Sequence, residues 1–228
     1  MSGIKRCAPF NTPEADAVRS ALEVFPPDNP WNTPVEHWPV AANSKAMIAP
    51  IGPDKPLRYN PDMSFVLVPP DQKKVDGKLT VYSGESDPGS DPVPKIAVIE
   101  SRPAHFKRGD GALRGLTLED VQRGKRALMP IGAEWSSIFD LSSNKLRPDG
   151  WTSSDAAGFP IVPFIVRYDE LKRGKIDHAL RGTFRHTRRA YVYPATHYAS
   201  RKTDPNLPRM GERFRLRRDD DSRRFPRR

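Results

Sequence analysis

Residues 161–184 read IVPFIVRYDELKRGKIDHALRGTF. Two apolar, β-branched stretches, 161–168 and 176–184, flank the polar connector Lys172-Arg173-Gly174-Lys175. Runs of that length and composition around a glycine-containing connector predict a pair of strands joined by a hairpin-like turn. Alternation along the second run places Ile176, His178, Leu180, Gly182 and Phe184 on one face and Asp177, Ala179 and Arg181 on the other. On that register His178 sits on the apolar face.

The same signature recurs at 64–68, 79–82, 95–99, 189–193 and 213–217. Seven short strands predict a mainly β fold: a single antiparallel sandwich or barrel-like domain with long Pro-rich loops and one or two short helices. The 25 prolines and 15 glycines keep every regular segment short, because proline removes a backbone donor and glycine ends regular runs. Thr12-Pro13-Glu14 supplies a cap, a proline for the first helical position and an acid in the first turn, with Ala17, Val18, Ala21 and Leu22 at helical spacing. A second helix is expected over 117–128, where Thr117 and Asp120 stand at capping-box spacing. Residues 25–56, with Trp31 and Trp38, read as an ordered loop anchored by aromatics. The organisation expected is an N-terminal helical extension over 1–24, a β-rich domain over 25–217 and an Arg-rich tail over 218–228.

The chain has 228 residues and a formal net charge of +10. From Arg201 to Arg228 eleven Lys or Arg stand against five Asp or Glu, so that end holds six of the ten net charges. A basic tail of this kind binds nucleic acid or another polyanion by releasing counterions, or is simply a solvated terminus. No apolar run approaches the roughly 20 residues that span a bilayer, and no signal peptide is visible in the first twenty residues. The single Cys7 cannot form an internal disulfide.

A phosphate-binding glycine loop, a dinucleotide fingerprint, a His pair flanking a Glu and a nucleophile elbow are all missing. No cofactor is implied. The His spacings match no metal-ligand template, so no metal site is expected. What stands out is 139–160, FDLSSNKLRPDGWTSSDAAGFP, which concentrates Asp140, Arg147, Asp149, Trp151 and Asp155 in one stretch of turn formers. Carboxylates beside a tryptophan suit a sugar site, with acids to move protons and an indole face to stack on a pyranose. The competing reading is structural: Asp149-Gly150 as a turn, Asp155 as a cap, Trp151 as core. His178 is likewise either a satisfied core group or an acid-base residue. His197-Tyr198, after Tyr191-Val192-Tyr193, forms a second polar-aromatic group.

Five segments, FPPDNPWN, FDLSSNKLRPDGWTSSDAAG, VRYDELKRGKIDHALR, TRRAYVYPATHYAS and TDPNLPRMG, together resemble a family of uncharacterised bacterial proteins, often exported and sometimes attached to carbohydrate-binding modules. The resemblance covers much of 25–211 and implies a glycan context and an extracytoplasmic location. Two stretches depart from it. Between Ile96 and Ser137 a hydrophobic strand pair is expected and the basic, helix-like HFKRGDGALRGLTLEDVQRGKRALM stands instead, and after Arg217 relatives continue where this chain ends in RDDDSRRFPRR. The chain thus reads as a divergent or truncated member.

The leading expectation is a glycan-associated protein, in one form a polysaccharide hydrolase with Asp155, His178 and Asp149 as acid-base residues. Trp151, Arg147, Tyr191, Tyr193 and His197 would then bind substrate. A binding module in which no proton moves, and a polyanion binder acting through the tail, are the alternatives. Oligomeric state is not legible.

Overall fold

The computed structural model describes residues 6–9, 12–55, 65–76, 82–94 and 137–215, in two units. The expected strand at 95–99, most of 79–82, the expected helix at 117–128 and the Arg-rich tail lie outside the described residues.

The first unit takes residues 1–23, 59–138 and 165–177. Its helix α1 spans Pro13–Ala21 and begins as its first residues dictate. The Thr12 hydroxyl accepts from Ala15 N at 3.3 Å and donates to Pro9 O at 2.8 Å, while Pro13 occupies the first turn. The buried face, however, is Ala15 and Arg19, not the expected Ala17, Val18, Ala21 and Leu22. Arg19 reaches Ile165 O at 3.0 Å and lies 5.0 Å from the Phe65 ring centroid. Burial, followed by repulsion from Arg167, pulls its pKa down. Strand β1 (Ala8–Pro9) pairs antiparallel with β2 (Val66–Leu67), Ala8 opposite Leu67.

These two-residue strands are the only ones among the described residues, so the mainly β sandwich or barrel is overturned. The clearest reversal is the segment on which the β reading rested. Residues 162–164 make a 3-10 turn, Tyr168–Arg173 forms a helix, here α3, and 176–184 has no regular structure. Its supposed hairpin turn is a helix end. Gly174, at φ +69°, donates to Leu171 O, and Lys175 N donates to Glu170 O at 3.2 Å, which together close the helix in a Schellman motif. Asp169 and Glu170 in the first turn and Lys172 and Arg173 in the last are the charges a helix dipole favours. Those local signals outweigh the β-branched composition.

Glu170 is fully buried and organises α3. Its Oε2 accepts from Arg167 N at 2.8 Å, and its Oε1 lies 3.1 Å from Arg167 Nη2 and 3.7 Å from Arg173 Nη2. The Ser20 hydroxyl of α1 donates to Asp169 Oδ1 at 2.8 Å, and that bond holds the Asp169 carboxyl below its ordinary pKa.

The second unit takes residues 24–58, 139–164 and 178–228. Apart from the short helix α2 (Ser44–Ile48), which buries Met47, and the 3-10 turn, its described residues form loops. Trp31 packs edge-on against Phe159 at 4.9 Å and tilted against Phe164 at 5.6 Å. The buried Asn29 fixes its own loop through Trp31 N and reaches Asn144 Oδ1 at 2.8 Å. The expected strand at 189–193 reduces to one parallel bridge, Tyr191 with Met210, and 213–215 is irregular. Its backbone donors go elsewhere: Arg188 N to Pro208 O, Arg189 N to Lys202 O, Val192 N to Met210 O. Every buried donor needs a partner, and here irregular carbonyls meet that need without a ladder.

Candidate functional site

Two segments of the second unit, 147–158 and 189–198, are zipped together by one residue. The buried Thr196 accepts from Gly150 N through its carbonyl at 2.7 Å and donates from its amide to Ala157 O at 3.0 Å. Its hydroxyl donates to Trp151 O at 2.9 Å. This closeness demands glycine at 158, where φ is +79°: a Cβ there would stand 2.0 Å from Thr196 Oγ1 and 2.9 Å from Trp151 O. Gly211 plays the same part lower in the segment, with a Cβ position 2.1 Å from Val192 O.

Between these contacts the loop folds on its own polar groups. The Ser153 hydroxyl donates to Phe159 O at 2.6 Å and accepts from Asp155 N at 2.9 Å. Asp155 Oδ1 accepts from Ala157 N at 2.8 Å, and Oδ2 meets Arg181 in an ion pair. Both oxygens of Asp155 are thus engaged in holding the turn. Arg147 is buried, donates from Nε to Thr152 O at 2.7 Å and lies 5.4 Å from the Trp151 centroid and 5.7 Å from that of Phe139. Trp151 and Arg147, expected to bind substrate, are bound to each other. A pocket next to them, lined by Trp31, Phe139, Arg147, Gly158 and Pro160, has room for about 10 Å3, roughly one water and far less than a sugar.

His178 is not on an apolar strand face: it is partly exposed, and its Nδ1 donates to Ala179 O at 2.8 Å. Its expected neighbours Ile176 and Leu180 are 39% and 54% exposed. The face does not exist because the strand does not.

The remaining residues come together. Tyr191, Tyr198 and His197 present their rings in near-parallel planes, Tyr198 being 6.1 Å and 20° from Tyr191 and 5.8 Å and 5° from His197. Each ring is anchored at its rim. The Tyr191 hydroxyl donates to Asp149 Oδ1 at 2.7 Å, and that bond raises its pKa. His197 Nδ1 lies 2.9 Å from Ala156 O, so this nitrogen carries the proton. Arg189 Nε donates to the Tyr198 hydroxyl at 3.2 Å, with the guanidinium 5.8 Å from the ring centroid; the same bond raises the Arg189 pKa. Tyr193 stands apart, 64% exposed, and Arg213, whose guanidinium lies 4.6 Å from the half-exposed Trp38 ring, has its pKa lowered by burial, against a smaller opposing pull from Tyr193.

Sequence reasoning thus named Asp149, Tyr191 and His197 as site residues, gave Tyr198 only as the neighbour of His197 in a polar-aromatic pair, and missed Arg189. The available signal was the pair Arg188-Arg189 directly ahead of the aromatics Tyr191, Tyr193 and Tyr198. Among the described residues no three His, Cys, Asp or Glu side chains gather as a metal ion would require, and no helix is long and apolar enough to cross a membrane. No protein-family model, curated protein or solved structure matches the chain.

Proposed function

We propose that the chain binds a polysaccharide on the strip of Tyr191, Tyr198 and His197 and does not cleave it. The observation that carries this reading is the near-parallel setting of three rings whose rims are tied to Asp149, Arg189 and Ala156 O. Rings held this way lose little freedom on binding, and their apolar faces suit the C–H faces of sugars while the rim groups suit hydroxyls. The resemblance to proteins attached to carbohydrate-binding modules points the same way. Hydrolysis has less support, because glycosidases need two carboxylates free to act on the bond, whereas Asp155 is committed to Arg181 and Ala157 N and Asp149 to Tyr191.

The test is affinity electrophoresis of the full chain through gels holding neutral or acidic polysaccharides. Tyr198→Ala should weaken retention about tenfold, the loss of one stacking ring, with the thermal melt unchanged. Equal retention of wild type and Tyr198→Ala would refute the strip as the platform. Release of reducing ends from any retained polysaccharide would restore the hydrolase reading.

A further inference from the structure

The charges beside the ring strip are one-sided. Arg189 N donates to Lys202 O at 2.6 Å and Arg188 N to Pro208 O at 2.9 Å, so 186–190 lies against both 202 and 208. This brings Arg188, Arg189 and Lys202, with Arg201 next to Lys202 in sequence, to the Tyr198 end of the strip. Lys202 Nζ is 2.9 Å from His186 Nδ1, and Arg188 Nη1 makes only a long contact of 3.4 Å to Pro205 O. Among the described residues Arg188, Arg189, Arg201 and Lys202 have no carboxylate within ion-pair distance. Four arginines elsewhere contrast with them: Arg167, Arg173, Arg181 and Arg209 each have an acid at hand. Uncompensated cations raise the local potential and draw anions.

We infer that the polysaccharide is acidic, its sugar rings on Tyr191, Tyr198 and His197 and its carboxylate or sulfate groups on Arg189 and Lys202. This rests on the ring strip being the sugar platform. The other end of the strip decides between an acidic glycan and a nucleic acid. There the Asp149 oxygen not taken by Tyr191, Oδ2, is an acceptor for hydroxyl donors, which a glycan carries on every sugar and a DNA backbone lacks between its phosphates. An acidic glycan, with hydroxyls as well as charges, satisfies both ends.

The experiment uses dextran and dextran sulfate, which share one backbone, with alginate as the carboxylate probe and single-stranded oligothymidylate as the nucleic-acid probe. Binding is measured with the full chain, so the basic 216–228 segment is common to every variant. Dextran sulfate or alginate should bind at least tenfold tighter than dextran, and the one bound tighter identifies sulfate or carboxylate as the natural group. Lys202→Gln, which leaves the Arg189 anchor of Tyr198 in place, should cut acidic binding by about tenfold, the loss of a charge-assisted contact, and leave dextran binding unchanged. Tyr198→Ala should weaken all glycans alike. Equal affinity for dextran and dextran sulfate, or acidic binding untouched by Lys202→Gln, overturns the inference while the strip stands. Binding that ignores Tyr198 removes the strip and the inference with it. Oligothymidylate bound more tightly than both acidic glycans at the same salt overturns the inference in favour of nucleic acid.

Discussion

The α1 and α3 helices and the zipped loops at 147–158 and 189–198 face the same shortage of large apolar side chains and meet it in different ways. The helices close their own ends with partners near in sequence, Thr12 capping Ala15, Glu170 capping Arg167 and Gly174 ending the last turn, and only then meet each other through Ser20 and Asp169. The loops rely on partners far away, since Thr196 holds Trp151 at a separation of 45 residues and Tyr191 holds Asp149 at 42. In both regions the buried groups are mostly polar or small, such as Glu170 and Arg19 in one and Thr152, Ser153, Thr196 and Ala195 in the other. Hydrogen bonds then carry specificity that a larger apolar core would supply elsewhere. A local network survives the loss of distant contacts, whereas a long-range one fails at any point where backbones must touch.

The largest effect expected from breaking this contrast is on the helical side. Glu170→Ala leaves Arg167 and Arg173 without their buried carboxylate and should cost about 3 kcal/mol, read as a lower urea midpoint. A change under about 1 kcal/mol would mean the arginines re-solvate freely and the network contributes little.

On the loop side Gly158→Ala is the sharpest probe. Its Cβ would meet Thr196 Oγ1 and Trp151 O at a positive φ, so a loss of roughly 2 kcal/mol is expected, together with loss of glycan retention. Gly150→Ala, also at positive φ (+83°) but with open space around it, should cost only about 1 kcal/mol. If the two glycine variants melt alike, the close approach of the segments is not what holds the site.

Asp155→Asn separates turn formation from chemistry. Asparagine keeps an acceptor for Ala157 N and loses only the charge facing Arg181, so a loss of about 1 kcal/mol with unaltered glycan affinity is expected. A drop of about a hundredfold in turnover on any polysaccharide the native chain cleaves would instead return Asp155 to a catalytic role.

The smallest effect is on acid stability. Asp140 and Asp169 are held below the ordinary aspartate pKa of 3.8, first by hydrogen bonds from Ser142 and from Ser20 respectively. A depressed carboxyl stabilises the fold fully above its unfolded pKa and loses that contribution as the pH falls through its folded value. Melts taken downward from about pH 5 should therefore fall below pH 3.8, and Ser20→Ala should flatten part of that fall. Identical curves for wild type and Ser20→Ala would show that the contact between α1 and α3 does not bind the charged form selectively.

Where the controlling contacts are local, the sequence was readable. Thr12-Pro13-Glu14 announced α1 because a cap, a fixed φ and a helix dipole act within one turn. The same kind of signal was present at Asp169-Glu170 and Lys172-Arg173-Gly174, and it was passed over because the apolar residues on either side alternated like strands. Alternation marks a strand only if a partner strand arrives, and Pro163 and Gly182 lie inside the two runs. The mistaken inward-facing His178 followed from that one choice.

The candidate site divides on the same line. Sequence alone singled out the turn-rich loop around Asp149, Trp151 and Asp155 and the aromatic group of Tyr191, Tyr193 and His197, since turn formers and aromatics declare themselves by type. It also set the charge excess. Only the tertiary structure decided which of these gather in one ring group and which are spent on the turn. Asp155 went to Arg181 and Trp151 to Arg147, while Tyr198 and Arg189 joined Tyr191 and His197. The reason is physical: a side chain's role depends on what occupies its hydrogen-bonding and stacking positions, and here the occupants come from residues up to 45 positions away, brought close by Thr196 and the space left at Gly158.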